Sequence, residues 1–292
     1  TTGTDNTAVG KSALTANTTA SDNTAVGSSA LAANTTGTYN TAVGTNAGDA
    51  NTTANNVTAV GYLAASASNA NQITAIGSQA LAQSSESGTA VGYAALYANT
   101  TGTANTAVGD SSGIAITTGE NNTAVGYQTL KTATTTSGNT AIGENALRDC
   151  TGTENTAVGS SAMYDGAGGN ENVAIGNDAL IVNAGNENVA VGGDCMKANT
   201  TGGNNVAVGY GALIANTTGS DNTALGNQAL DANTTASNNV AVGGAALGSV
   251  TTGSNNIGVG RDAGSAITTG AHNIAIGKDA GDAITTGNYN VV

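Results

Sequence analysis

Small, β-branched and polar positions follow one another in a fixed order, and the phrase Asn6-Thr7-Ala8-Val9-Gly10 carries that order through the whole chain. Its closing Gly falls at 10, 27, 44, 61, 77, 92, 109, 126, 143, 159, 176, 192, 209, 226, 243, 260 and 277. Twelve of the sixteen spacings are seventeen residues, and the others are fifteen or sixteen. One short phrase per period is the pattern of stacked coils. With each repeat numbered so that the phrase fills slots 0 to 4, slots 1 to 4 alternate at a period of two and predict a β-strand. Slots 1 and 3 are almost always Thr, Val or Ile; in the complete phrases slot 2 is Ala, with Gly258 the one exception, and slot 4 is Gly. A half-exposed strand scatters polar residues along its outer face, and this one does not. The expectation is therefore that Thr, Val and Ile point into the coil. The Ala/Gly face then lies against another backbone, for which a second copy of the chain is the candidate.

The rest of the period predicts how each coil closes. Slots 5 and 6 vary and are mostly polar, which predicts a turn. Slots 7 and 8 are most often Ala-Leu, as in Ala30-Leu31 and Ala212-Leu213, and a buried Leu contributes roughly 1.5–3 kcal/mol per coil. Gly replaces that Leu at Gly48, Gly113, Gly264 and Gly281, and three of those coils carry Ile at slot 11: Ile116, Ile267 and Ile284. The exchange of volume puts slots 8 and 11 around one pocket. Slots 11 to 14 read Asn-Thr-Thr-Gly or a relative, which predicts a second short strand ending on a Gly turn. Slot 0 is Asn in most coils from Asn6 to Asn290. Stacking at ~4.8 Å would let each amide donate to the next. Val57, Ile73 and Gly88 interrupt that column, so the region from about Asn55 to Gly92 is the predicted bulge, kink or excursion. The fold class is all-β: a β-solenoid, or β-roll, of about seventeen stacked coils with roughly 17 residues per coil. It forms a single tandem array over 1–292 with no capping sequence visible, so end-to-end pairing into a filament is one expectation.

Composition narrows the function more than it names it. The chain has no Pro, Phe or Trp and eight Tyr, so its core is thin and serial. Net charge is −13 with six Lys plus Arg, which argues against nucleic-acid binding, because phosphate contacts need clustered cations. No apolar run is long enough for a membrane span and no leader is visible.

Candidate chemistry is sparse, and no catalytic residue or bound cofactor is expected. The one His, His272, sits in a turn slot without a nucleophile partner. Cys150 in slot 11 and Cys195 in slot 7 lie three coils apart, beyond disulfide reach, and are expected as free thiols. Glu154, Glu171 and Glu187 fall in successive coils and are the metal candidates, Ca²⁺ being the cation that wants several oxygens; the alternative is a solvated turn edge. Asn-Thr-Thr gives glycosylation candidates at Asn17, Asn34, Asn51, Asn99, Asn199, Asn216 and Asn233, all in slot 11. Neighbouring sites there would crowd one another, and Asn and Thr also serve as turn and strand residues.

The recurring N-T-A-V-G-x-x-A-L-x-x-N-T-T-G phrase resembles the repetitive shafts of phage tail-fibre proteins and bacterial surface fibres. More loosely, it is similar to the head repeats of trimeric autotransporter adhesins, which have a shorter period. That resemblance implies a structural, extracellular, homotrimeric shaft rather than an enzyme, with contact to a host surface or glycan made by turn slots 5, 6, 15 and 16. The alternatives are a self-assembling extracellular filament, glycosylated or not, and an ice-binding solenoid suggested by the Thr columns. The ice reading is weakened if slot 1, where Val and Ile replace Thr in several coils, faces inward.

Overall fold

The computed structural model describes residues 2–292 and is all-β, a β-solenoid with roughly 17 residues per turn. Two compact units divide it, Thr1–Asn145 and Ala146–Val292. The first carries β1 (Thr7–Val9), β2 (Thr24–Val26), β3 (Thr41–Val43), β4 (Thr58–Val60), β5 (Thr74–Ile76), β6 (Gly88–Val91), β7 (Asn105–Val108), β8 (Thr123–Val125) and β9 (Thr140–Ile142). The second carries β10 (Thr156–Val158), β11 (Val173–Ile175), β12 (Val189–Val191), β13 (Val206–Val208), β14 (Thr223–Leu225), β15 (Val240–Val242), β16 (Ile257–Val259) and β17 (Ile274–Ile276). Within each unit successive strands pair parallel and in register, so that Ala25 meets Ala42 and Ala190 meets Ala207.

The two faces of the strand are the reverse of the sequence expectation. Slot 2 points into the coil, where Ala25, Ala42, Ala174 and Ala207 are fully buried, while slots 1 and 3 point outward. The lumen explains the choice. A methyl built at slot-2 Gly258 would meet Leu247 Cγ at 2.8 Å, and one built at slot-8 Gly48 would lie 3.9 Å from the Ala59 methyl. Slots 2 and 8 thus face each other, and with Leu on one wall only Ala or Gly fits the other. The Ala column is covered by the chain itself and needs no second copy.

Among the described residues the predicted second strand at slots 11 to 14 is absent, and the strands are the seventeen of three or four residues at slots 0 to 3. Asn side chains displace it, because they offer the backbone a local partner. In the coil of Asn51, Oδ1 accepts the Ala54 N–H at 2.9 Å and Nδ2 donates to the Ala54 carbonyl. Coil-to-coil bonding persists without extended backbone: the Thr35 N–H and Oγ1 both donate to the Thr52 carbonyl, at 2.8 and 3.0 Å.

Corners are set by positive φ. Slot 8 is left-handed whether it is Leu31 (φ 49°), Leu213 (53°) or Gly113 (58°). That is why Gly can stand in for Leu there, and a Cβ on Gly113 would sit 3.1 Å from Ile116 Cδ1, as the volume exchange predicts. At slot 4 only Gly serves: Gly209 has φ 139°, and an added Cβ would lie 2.3 Å from the Gly226 carbonyl oxygen.

Two internal amide columns run beside the apolar wall. In slot 0 of the second unit, Asn205 Nδ2 donates to Asn188 Oδ1 at 3.1 Å and to the Gly219 carbonyl at 2.9 Å, and the Asn222 N–H donates to Asn205 Oδ1 at 3.0 Å. In slot 11, Asn233 donates to Asn216 and Asn216 to Asn199, at 2.9 and 2.7 Å. The region 55–92 does not bulge in the sheet. β4 to β6 stay in register, and the shortened spacings are absorbed between slots 11 and 0. There Asn69 Oδ1 takes the Thr52 and Thr53 N–H groups that a Thr carbonyl takes in the regular coils.

Candidate functional site

With the interior occupied by Ala, Leu and Asn, the outward positions are those of the strand, slots 1 and 3, and of the turns, among them slots 5, 6 and 16 and the exposed slot-13 Thr such as Thr118 and Thr235. Slots 1 and 3 form a charge-free face in each unit. In the first unit slot 1 is Thr in all nine strands and slot 3 is Val or Ile in all nine. In the second unit Val or Ile takes slot 1 in β11, β12, β13, β15, β16 and β17. The aliphatic column is partly or well exposed along its length, with Val43, Ile76, Ile142, Ile175 and Leu225 among the exposed residues. This face was expected inside the coil and is turned outward in each unit.

Slot 5 follows the Gly corner and carries Tyr62, Tyr93 and Tyr127 in the first unit and Tyr210 in the second, all exposed. Slots 6 and 16 are left-handed in nearly every coil, which accounts for their Ser, Asn, Asp and Gly content. Slot 15 proves not to be a free contact position. Its side-chain oxygen accepts the slot-15 N–H of the preceding coil, as Asn55 does for Thr38 (2.7 Å) and Ser237 for Ser220 (3.0 Å). The restriction of slot 15 to short polar residues in most coils was the available signal.

Six of the seven glycosylation candidates, Asn34, Asn51, Asn99, Asn199, Asn216 and Asn233, are buried, and Asn17 is partly buried. Their amides work inside the coil: Asn34 Nδ2 donates to the Gly37 carbonyl at 3.0 Å, and Asn17 Nδ2 to Ala20. A sugar on that nitrogen would replace an internal hydrogen bond and has no room in the folded coil. The motif is explained by the slot-11 column.

Glu154, Glu171 and Glu187 are exposed and left-handed, with φ 57–59°. Among the described residues no three His, Cys, Asp or Glu side chains converge as a metal site. His272 stacks on Tyr289 of the next coil, centroids 4.8 Å apart and planes 6° apart. Both cysteines are free and buried. Burial pushes the Cys150 thiol up to about 11 and Cys195 to about 12. Cys195 Sγ lies 3.3 Å from the Ala207 carbonyl, the contact that the Ser112 hydroxyl makes with Ala124. Lys197 bridges Asp178 and Asp194 at 3.0 and 2.8 Å; these hydrogen bonds raise the lysine's pKa, and the Lys197 bond lowers that of Asp194. Partial burial raises the carboxyls of Asp49 and Asp231, which both lie in slot 9.

The shortened coils of the first unit leave an open hollow of about 390 Å³ lined by Asn69, Ala70, Asn71, Gln72, Ser85, Glu86 and Ser87. Its polar groups are largely committed to the neighbouring coils, Asn71 Oδ1 taking the Asn55 N–H and Ser85 Oγ donating to the Thr100 carbonyl. No helix long and apolar enough to cross a membrane occurs among the described residues. No protein-family model and no curated protein matches this chain.

Proposed function

We propose that this chain is the structural shaft of an extracellular fibre of the phage tail-fibre or bacterial surface-fibre kind, acting by mechanical reach. The supporting observation is the uniform coil-to-coil bonding. The strand ladder, both Asn columns, the slot-12 Thr hydroxyls and the slot-15 acceptors all join one coil to the next within each unit. That arrangement makes a repeat stiff, and turn side chains, in slots 5, 6 and 16 above all, are offered to a host surface or glycan.

Copies associate, in this reading, as a homotrimer, and the surface available for it is the outward Thr/Val/Ile face. Light scattering on a size-exclusion column tests it: a fixed species near three times 27.8 kDa supports the trimer. A concentration-independent monomer sinks it, and growth without limit favours end-to-end filaments.

The unbroken Thr column of β1 to β9 supports a second reading, an ice-binding solenoid, because slot 1 faces outward. Thermal hysteresis in solutions of the purified chain tests that reading, and its absence at millimolar protein rejects it.

A further inference from the structure

We propose that Tyr62, Tyr93 and Tyr127 form a linear platform for an extended, neutral, β-1,4-linked polysaccharide; this names the ligand class for the turn-slot glycan contact proposed above and rests on that reading. All three rings occupy slot 5 and fall in alternate coils, with Ser78 and Asp110 in the coils between. Their spacing is held by the backbone. The Tyr62 carbonyl accepts the Gln79 N–H (2.8 Å), Ser78 the Ala94 N–H (2.9 Å) and Tyr93 the Ser111 N–H (2.8 Å). The Asp110 carbonyl accepts the Gln128 N–H at 3.0 Å, so slot 5 advances by one coil at each step without a break. Two coils are about 10 Å. That step equals the two-sugar repeat of a β-1,4-linked chain, in which alternate sugars present the same face.

The exposure of the rings suits stacking. Tyr62, Tyr93 and Tyr127 are 52, 54 and 48% exposed, as expected for rings with one face covered and one open. Each follows a small or short residue in slot 5 of the preceding coil, Thr45, Ser78 and Asp110. In the second unit, where Gly193 precedes Tyr210, a Cβ on that Gly would meet the Tyr210 ring at 3.4 Å, so the ring lies back over the smaller neighbour. The negative ring face attracts the polarised C–H groups of a pyranose. Hydrogen-bonding groups flank the rings: the Asp110 carboxylate, and the Gln128 amide, which donates to Tyr127 Oη at 2.9 Å. A net charge of −13 disfavours acidic polysaccharides, which is why the ligand is neutral.

Titration calorimetry of the full chain with cellobiose, cellohexaose and maltohexaose is the test. Cellohexaose should bind about ten-fold or more tightly than cellobiose because it reaches more than one ring, and the α-linked maltohexaose should not bind. Tyr93→Ala, at the centre, should weaken cellohexaose about three- to ten-fold while Tyr93→Phe keeps it. Tyr210→Ala, an isolated ring, should leave it unchanged. The proposal is overturned if cellohexaose binds no better than cellobiose, if nothing binds, or if Tyr210→Ala costs as much as Tyr93→Ala. It is also overturned if Tyr93→Ala changes the solution mass, since the rings then lie between copies. Absence of sugar binding with the trimer intact removes only this proposal, whereas a monomer that binds cellohexaose removes the trimeric shaft and leaves the platform standing.

Discussion

Asn205 and Asn188 are joined twice: the Asn205 side-chain amide and its own backbone N–H both donate to Asn188 Oδ1, at 3.1 and 3.0 Å. The same oxygen therefore holds the strand entry and the amide column in one register. Asn205→Ala would leave the Asn222 N–H without its acceptor and would remove one of the two donors to the Gly219 carbonyl and one of the two acceptors of Asn222 Nδ2, which keep Asn216 and the Ala236 carbonyl as partners. At about 1–3 kcal/mol for the buried N–H left unpaired and about 0.5–1.5 kcal/mol for each further bond lost, the loss should be about 2 kcal/mol or more. Urea denaturation monitored by circular dichroism reads it, and a midpoint equal to the parent's would show that the column is ornamental.

Orientation of the strand is testable by a pair of neighbours. Ala207 is fully buried and Val208 faces out. Ala207→Val should destabilise by about 1–3 kcal/mol through overpacking against the Leu wall, whereas Val208→Thr should stay within about 0.5 kcal/mol. Thermal melts of both variants decide the matter, and the reverse ranking would restore the Ala face to the surface.

Slots 8 and 11 should couple. Gly113→Leu places a side chain against Ile116, whose Cδ1 would be 3.1 Å from the new Cβ, and Ile116→Asn empties the pocket beneath Gly113. Each single change should cost about 2 kcal/mol or more. Together they rebuild the usual Leu/Asn coil, so the double variant should regain most of that loss. A double-mutant cycle measures the coupling, and simple additivity would refute a shared pocket.

Alkali should act on the thiols. Burial raises Cys150 from the usual 9.0 to about 11 and Cys195 to about 12. As pH rises past 9.0 the unfolded chain ionises these groups first, so their contribution is intact below 9.0 and declines as pH climbs toward the folded values. The window from 9.0 to 10.5 isolates them, because Lys197, also raised when folded, begins to add its own loss above 10.5. Denaturation midpoints across that window should fall for the parent. They should fall less in Cys150→Asn/Cys195→Ala, which restores the common residue at both slots; equal slopes would dismiss the thiols as the cause.

Period, strand and corner were legible from residue order alone, because parallel stacking places identical slots above one another and each slot then tolerates few side chains. The Asn column of slot 0 and the Leu-to-Gly exchange at Gly113 with Ile116 could be read for that reason. The direction of each side chain could not. A period of two separates Thr7 and Val9 from Ala8 without saying which set is enclosed, and hydrophobicity favours the wrong answer. Only the closed coil decides it: the wall opposite the strand is Leu, the gap admits no more than a methyl, and Val and Ile go outward. Closure likewise turns the Asn of Asn-Thr-Thr inward, so that a phrase matching a glycan acceptor becomes an internal hydrogen-bond column. It also brings Tyr62, Tyr93 and Tyr127, separated by 31 and 34 residues in the chain, onto one edge two coils apart.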